Sequence, residues 1–303
     1  MSKTYLGYLL TILSALAFAS MSLFIKFGYG AGMSAWSFSV IQSSMALAVL
    51  GIMWLREPRR RGPLPLPWVL LFLLCGATSG ISFNVALVHL SISLATILLF
   101  TYPAFTAVGA WLLLGQRPTL AHGVALLLTL GGATLTANLA DINDGTTSLL
   151  GVGLALLAAV AHGLYIVVGE KIAGGLTATA ANTLTRIAIL SGSILLYPRV
   201  FAELPGVSAR GWLICAVAAA VAGVAPFQFL NRGIALIGAN RAAIASVAEL
   251  PFALALGMLF QGDIIRPAQW VGALLIVAAV LVSQHESEGE SANGPGAGTA
   301  GSL

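Results

Sequence analysis

The sequence predicts an all-α polytopic membrane protein with ten transmembrane helices, arranged as two inverted five-helix repeats. Three observations predict this fold class. The chain of 303 residues is 58% hydrophobic and only 8% charged, whereas soluble domains carry about 25% charged residues. Its surface must therefore be solvated mainly by lipid. The hydrophobic residues fall into ten runs, and the second five runs resemble the first five.

Each hydrophobic run has about the length of a membrane-spanning helix, because about 20 mostly apolar residues cross roughly 30 Å of hydrocarbon. Charged residues, proline and glycine bound the runs. They cover approximately residues 5–27, 35–55, 67–88, 93–114, 121–139, 149–168, 179–197, 211–230, 242–260 and 268–282. The first run, which follows Lys3, imitates a secretory signal. A retained helix is favoured, because the run continues to Phe27 and has a counterpart in the second half.

A basic cluster at residues 56–61 predicts the orientation, since cytoplasmic loops are enriched in Lys and Arg. With this cluster inside, the N-terminus is cytoplasmic, and the loops and ends carry nine Lys and Arg inside against four outside. An acidic linker at residues 140–148 is then external. The tail at residues 285–303, rich in Gly, Ser and Glu, is predicted to be cytoplasmic and disordered.

The second half repeats the first at a spacing of 144 to 149 residues. Thr101-Tyr102-Pro103 matches Glu249-Leu250-Pro251 at 148, and Ala86-Leu87 matches Ala235-Leu236 at 149. Five helices is an odd number, so the second copy enters the membrane from the opposite side. Inverted repeats are typical of secondary transporters, although a duplication that merely enlarged a helix bundle would give the same pattern. The predicted units are a first repeat at residues 1–139, the linker at 140–148, a second repeat at 149–284 and the tail at 285–303.

Several of the repeated residues resemble a known family. The paired Pro103 and Pro251, the Ala-Leu dipeptides before them, and the Gly-Gln and Gly-Asp turns at residues 115–116 and 262–263 resemble the drug/metabolite transporter superfamily, EamA type. The resemblance spans residues 5–284 and is strongest to bacterial amino-acid exporters. It implies a small-molecule transporter of the bacterial inner membrane.

Two prolines are predicted to interrupt the fourth and ninth helices. Proline lacks an N–H and displaces the carbonyl four residues earlier, so Pro103 and Pro251 are expected to free the carbonyls of Leu99 and Val247 near the middle of the membrane. Pro226 is expected to act similarly in the eighth helix. Unsatisfied carbonyls are costly in lipid, so such breaks should face protein, water or the ammonium group of a substrate. A kink that only shapes packing is the alternative.

Glu249 and Arg186 are the charged side chains expected deep in the membrane. Burying a charged Glu249 is costly, so this residue should be neutral, paired with a residue such as Arg241, or exposed to a wet cavity. A neutral carboxyl would suit proton coupling. Arg186 either extends to the interface or, together with its repeat counterpart Gln42, donates hydrogen bonds to a substrate carboxylate or to loops.

The remaining binding-site candidates are polar and aromatic side chains in the third, fourth, sixth and eighth helices. Aromatic faces bind both apolar side chains and ammonium groups, although each residue taken singly is more often a packing residue. They are Ser79, Ser82, Phe83, Tyr102, His162, Phe227 and Gln228.

The preferred function is a secondary transporter that exports small amphipathic metabolites, above all aromatic or other apolar amino acids, by alternating access. The sequence has no ATP-binding loop, so energy would come from the substrate gradient or a coupled ion such as the proton. One alternative is a nucleotide-sugar or phosphorylated-metabolite exchanger, which would need more buried cations than Arg186. Another is a membrane assembly protein without transport activity. No enzyme motif is found, and no cofactor, metal or nucleic-acid partner is expected.

Overall fold

The computed structural model describes residues 3–57, 66–90, 95, 98–117, 119–136, 148–261 and 266–292. The basic residues 59–61, the linker residues 140–147 and the final residues 293–303 lie outside this set. The sequence-based expectations for them remain predictions.

The described residues form helices joined by short connections, and no strand occurs among them. The helices are α1 (Lys3–Gly30), α2 (Ala35–Leu55), α3 (Leu66–His89), α4 (Tyr102–Leu114), α5 (Leu120–Thr136), α6 (Leu149–Ile172), α7 (Ala178–Leu196), α8 (Val200–Glu203), α9 (Ala209–Ala218), α10 (Ala225–Ile237), α11 (Ala239–Ser246), α12 (Glu249–Gln261) and α13 (Pro267–Ala292). A π-helical segment, Ala219–Val224, joins α9 to α10.

The helices confirm the predicted ten-helix architecture. In the described part of the chain, seven helical segments are long and apolar enough to cross a membrane, judged by length and composition. Three shorter apolar helices, Tyr102–Leu114, Leu120–Leu135 and Pro267–Val282, stand at the other predicted positions. Two spans are composite, because α9, the π-helical segment and α10 form the eighth span and α11 with α12 forms the ninth.

Contacts between the two repeats pair α1 with α10 in antiparallel orientation. Gly7, near the start of α1, faces Leu236 at the end of α10, where an added Cβ would lie 3.0 Å from the Leu236 Cβ. Further along α1, the hydroxyl of Ser14 donates to the carbonyl of Pro226 at 2.8 Å. The first helix of one repeat thus lies along the third helix of the other.

The pair formed by α3 and α6 repeats this arrangement with the roles of the two halves exchanged. Gly151, near the start of α6, faces the end of α3, where an added Cβ would lie 2.8 Å from the His89 Cβ. Gly76, earlier in α3, faces the ring of Tyr165 further along α6. Because Gly7 and Gly151 are repeat counterparts, the two halves are related by a pseudo-two-fold axis. The structure confirms the inverted arrangement.

The last helix of the chain is longer than the sequence predicts. α13 continues to Ala292, so residues 285–292 are helical, whereas disorder was expected from residue 285. Extending an existing helix is easy, because each added residue gains a backbone hydrogen bond without a new nucleation step.

Candidate functional site

The predicted proline breaks are present in both repeats. The chain turns at Phe100 and Thr101, and α4 then begins at Tyr102 with Pro103 as its second residue. In the second repeat a turn at residues 247–248 separates α11 from α12, and Pro251 is the third residue of α12. Each break lies where proline fits best, because the first turn of a helix does not need the missing N–H.

Tight turns supply backbone partners at these breaks. The carbonyl of Val247 accepts a hydrogen bond from the N–H of Leu250 at 3.0 Å, so the expectation that this carbonyl is left free is wrong. The carbonyl of Leu98 accepts both the N–H of Thr101 at 3.3 Å and its hydroxyl at 2.7 Å. Bonds between residues three apart replace the lost α-helical bonds. Leu99 lies inside the first of these turns and is half-buried.

The third proline break, at Pro226, takes the form of the π-helical segment. The N–H of Ala225 bonds to the carbonyl of Ala220, five residues earlier. This wider winding leaves carbonyls pointing to neighbouring helices, and the side-chain amide of Asn182 donates to the carbonyl of Val224 at 3.0 Å. Such π-bulges occur frequently at functional sites.

Gln42 and Arg186, the repeat counterparts, both donate to carbonyls at this break. The Nε2 of Gln42 lies 3.3 Å from the carbonyl oxygen of Ala218, and Nη2 of Arg186 lies 2.6 Å from that of Gly223. Arg186 is only 4% exposed, so it does not extend to the interface. Each repeat therefore contributes one side chain, from α2 or from α7, that hydrogen-bonds to the backbone around the π-helical segment.

A row of aromatic rings crosses the centre of the bundle. The centroids of Tyr102 and His162 are 4.7 Å apart, those of His162 and Tyr165 6.1 Å, those of Tyr165 and Phe227 6.2 Å, and those of Phe227 and Phe18 5.0 Å. These rings come from α4, α6, α10 and α1, so both repeats contribute. We call these five residues the aromatic row.

Each charged candidate approaches a different part of the aromatic row. The guanidinium carbon of Arg186 lies 4.6 Å from the ring centroid of Phe227, which is a cation–π arrangement. Glu249 interacts electrostatically with Tyr102. The Tyr102 hydroxyl also donates to the carbonyl of Ala243 at 3.1 Å. The row therefore carries a cation at its α10 side and an acidic group at its α4 side.

The candidates on α3 divide into two groups. The hydroxyl of Ser79 lies 3.5 Å from Nδ1 of His162, so Ser79 adjoins the aromatic row. Ser82 is buried one turn further along. Phe83 instead packs in a separate apolar cluster with Ala86 and Leu90. The structure therefore does not place Phe83 with the aromatic row.

Sequence reasoning missed the central residue of the row. Tyr165 is 1% exposed, stacks on Phe72 with centroids 4.3 Å apart, and donates its hydroxyl to Oδ1 of Asn231 at 3.4 Å. A single tyrosine in an apolar helix carries no distinctive sequence signal. Asn231 does, because it is the repeat counterpart of Asn84.

A cavity of about 340 Å³ opens at one end of the bundle, which we call the Glu57 end. Phe72, Ala181 and Asn231 lie among its inner residues, whereas Glu57 and the exposed Arg232 lie at its rim. Phe72 and Asn231 both contact Tyr165. The cavity therefore leads from the rim to the aromatic row, and its volume suits a small molecule.

The opposite end, which we call the Glu203 end, is held together by side-chain contacts. The Glu203 carboxylate accepts hydrogen bonds from the hydroxyl of Ser34 and, at 3.0 Å, from that of Tyr197. The rings of Trp36 and Tyr197 are stacked with centroids 5.3 Å apart. These contacts join the start of α2 to the connection between α7 and α8. The hydrogen bond to Glu203 raises the pKa of Tyr197.

A second carboxylate ties together connections at the Glu57 end, beside the cavity lining. Glu170, near the end of α6, accepts hydrogen bonds from the backbone N–H of Ala239 and, at 2.6 Å, from Nε2 of Gln116. Oε1 of Gln116 in turn accepts from the side chain of Asn240 at 3.2 Å. Gly238 adopts a φ of 80° at this turn, a region in which other residues are strained. Glu170 therefore links the connection after α4 to the one before α11.

Comparisons with known proteins match almost the whole chain. The sequence profile described as the EamA-like transporter family matches residues 5–138 and 149–283. A probable terminal-alkyne amino-acid exporter of Streptantibioticus cattleyicolor is 28% identical over 95% of this chain and 96% of its own length. An uncharacterised transporter of Synechocystis sp. is 28% identical over 66% of this chain and 62% of its own. An uncharacterised transporter of Bacillus subtilis is 24% identical over 71% and 73%.

A solved crystal structure also has this fold. It covers 93% of this chain and 97% of its own, with a TM-score of 0.75 and 17% sequence identity. At this identity the likeness concerns the fold alone.

Proposed function

The chain belongs to the EamA-like transporter family, and we propose that it exports amino acids with aromatic or other apolar side chains across the bacterial inner membrane. One observation carries the substrate class. A cavity of about 340 Å³ leads to a row of aromatic rings, which can bind an apolar side chain by burial and an ammonium group by cation–π attraction.

The named relative supports the same substrate class. A probable amino-acid exporter shares 28% identity with this chain over nearly its full length. Arg186 adds a buried cation beside Phe227, which suits the carboxylate of an amino acid. Among the described residues, Arg186 is the one charged side chain in the buried set. A phosphorylated substrate, with more negative charge to neutralise, is therefore less favoured.

Transport is proposed to proceed by alternating access between two related conformations. In the present one the cavity lies at the Glu57 end, while contacts around Glu203 hold the opposite end together. The pseudo-two-fold relation allows the two halves to exchange these arrangements. With the basic residues beside Glu57 in the cytoplasm, this conformation is inward-facing and both chain termini are cytoplasmic.

The test is transport by the purified protein in liposomes. Vesicles loaded with unlabelled phenylalanine, tryptophan or leucine should accumulate the same labelled amino acid by counterflow, whereas protein-free vesicles should not. A panel containing sugar phosphates and nucleotide sugars runs in parallel. Counterflow of a phosphorylated compound without any amino acid would contradict the proposed substrate class.

Proton coupling is a separate part of the proposal and rests on Glu249. We expect Glu249→Gln to lose the stimulation of net efflux by a pH gradient while it keeps counterflow, because exchange needs no net proton movement. Glu249→Asp retains the carboxyl group and serves as the matched control. If Glu249→Gln responds to the gradient as strongly as the unmodified protein does, proton coupling through this residue is excluded.

A further inference from the structure

Unsatisfied polar atoms are concentrated between α7 and α10. Three long side chains there are nearly fully buried, with exposures of 0% for Asn182, 4% for Arg186 and 4% for Gln228. In each, one atom has no hydrogen-bond partner. These atoms are Oδ1 of Asn182, Nε of Arg186 and Oε1 of Gln228. A buried polar group without a partner is destabilising, so this group of atoms indicates a site for a polar ligand.

The other end of each side chain is anchored. Asn182 donates through Nδ2 to the carbonyl of Val224 at 3.0 Å, and Gln228 donates through Nε2 to the hydroxyl of Thr179 at 3.0 Å. Arg186 is held by its 2.6 Å bond to the carbonyl of Gly223 and by the ring of Phe227. The three free atoms are therefore fixed in advance of any ligand, which lowers the entropic cost of binding.

The three free atoms of Asn182, Arg186 and Gln228 are one cationic donor and two acceptors, and Nδ2 of Asn231, beside the cavity, is a further unpartnered atom and a neutral donor. Asn182 and Arg186 are four residues apart on α7, so they lie one above the other on the same face, with Cβ atoms about 5–6 Å apart. Gln228 on α10 bonds to Thr179, one turn of α7 before Asn182. All three side chains therefore lie along the contact between α7 and α10, which we call the seam. A positive donor next to neutral oxygen acceptors matches a carboxylate next to an ammonium group.

The seam adjoins both the cavity and the aromatic row. Ala181, next to Asn182, lines the cavity, and so does Asn231, one turn after Gln228. On the other side, Phe227 contacts both Arg186 and Tyr165. A ligand whose charged groups lie in the seam can therefore place an apolar side chain against the aromatic row.

We propose that the seam between α7 and α10 binds the zwitterionic head group of an α-amino acid. Nε–H of Arg186 donates to the carboxylate, while Oδ1 of Asn182 and Oε1 of Gln228 accept from the ammonium group. This assignment rests on the proposed amino-acid export and adds to it the residues that read each end of the head group. Glu249 is not required for recognition.

The test uses three ligands that share a benzyl side chain. Phenylalanine has both charged groups, phenethylamine lacks the carboxylate and 3-phenylpropionate lacks the ammonium group. Their affinities are measured by competition against labelled phenylalanine bound to the purified protein, and directly by isothermal titration for variants that bind phenylalanine weakly. Arg186→Gln should weaken the binding of phenylalanine and 3-phenylpropionate about tenfold to hundredfold, since a hydrogen bond to a charged group contributes about that much. The affinity for phenethylamine should not change.

Substitutions at Gln228 should give the crossed pattern. Gln228→Met keeps the length of the side chain without the acceptor. It should lower the affinity for phenylalanine and phenethylamine by a similar factor and leave the affinity for 3-phenylpropionate unchanged. Gln228→Glu adds a negative charge and should therefore raise the affinity for phenethylamine. Thr183→Ala is the control on α7, because the Thr183 hydroxyl bonds only locally, to the carbonyl of Thr179 at 2.8 Å. Thermal unfolding in detergent checks that each variant is folded.

Two outcomes overturn different statements. If the unmodified protein transports phenylalanine but Arg186→Gln and Gln228→Met lower the affinity for all three ligands equally, the head-group site is refuted and amino-acid export stands. If the unmodified protein neither binds nor transports any amino acid, the proposed function itself is refuted. The crossed pattern in folded variants supports both.

Discussion

The close crossing of α4 and α6 allows a sharp test of the packing around the aromatic row. Gly163 lies at this crossing, next to His162 in the sequence. A Cβ added to Gly163 would lie 2.9 Å from both the backbone nitrogen of Thr106 and the carbonyl oxygen of Tyr102. Both obstacles are backbone atoms, so neither can rotate away as a side chain could. A methyl group at this position must push the two helices apart.

The size of the effect follows from these distances. An ordinary contact is about 3.4 Å or longer, so Gly163→Ala requires α4 to move by about 0.5 Å, and overpacking of this kind costs about 1–3 kcal/mol. Because Tyr102 is the first residue of α4, the movement also shifts its ring relative to His162. We therefore expect Gly163→Ala to lower both the free energy of unfolding and the rate of phenylalanine counterflow.

The assay compares two glycines of α6. Gly153 has no atom within 4 Å of an added Cβ, so Gly153→Ala makes the same chemical change without a clash. This control should be neutral or stabilised by up to about 1 kcal/mol, because alanine favours helices. Thermal unfolding in detergent and counterflow are measured for both variants. Equal stability and equal counterflow of the two variants would refute the inference that backbone contact at Gly163 positions α4.

Two further predictions concern the carboxylates at the ends of the bundle. Glu170→Gln should lower the free energy of unfolding by about 1–3 kcal/mol, because hydrogen bonds from Ala239 and Gln116 lose a charged acceptor; unchanged thermal unfolding would contradict this role. The pKa of Tyr197 is raised in the folded protein by its hydrogen bond to Glu203. This bond therefore stabilises the protein fully below the pKa of an unfolded tyrosine, about 10. The stabilisation is lost as the pH rises through the pKa of Tyr197 in the folded protein. Tyr197→Phe should therefore unfold at a lower temperature than the unmodified protein at neutral pH, and this difference should shrink above about pH 10. A difference in unfolding temperature that does not depend on pH would contradict this role of the Tyr197–Glu203 bond.

The architecture could be predicted from the amino-acid sequence alone. Hydrophobic runs of membrane-spanning length predict the ten helices, and the matched residues around Pro103 and Pro251 predict an inverted repeat with two related breaks. These features follow from local rules, because lipid requires every backbone group to be paired within a helix and proline breaks that pairing in a known place. Gln42 and Arg186 could be matched as repeat counterparts because they are 144 residues apart, within the spacing of the two repeats.

Which side chains contact one another depends on the packing of the helices and could not be predicted from the sequence. In a lipid-solvated helix both faces are apolar, so hydrophobic periodicity does not show which face is inside. Tyr165 could thus not be recognised as the centre of the aromatic row, nor Phe83 as a residue of a separate cluster. The partners of freed carbonyls are equally non-local. Val247 is satisfied by a turn, whereas the break at Pro226 widened into a π-helix, because the neighbouring α7 supplies polar side chains that can reach its carbonyls.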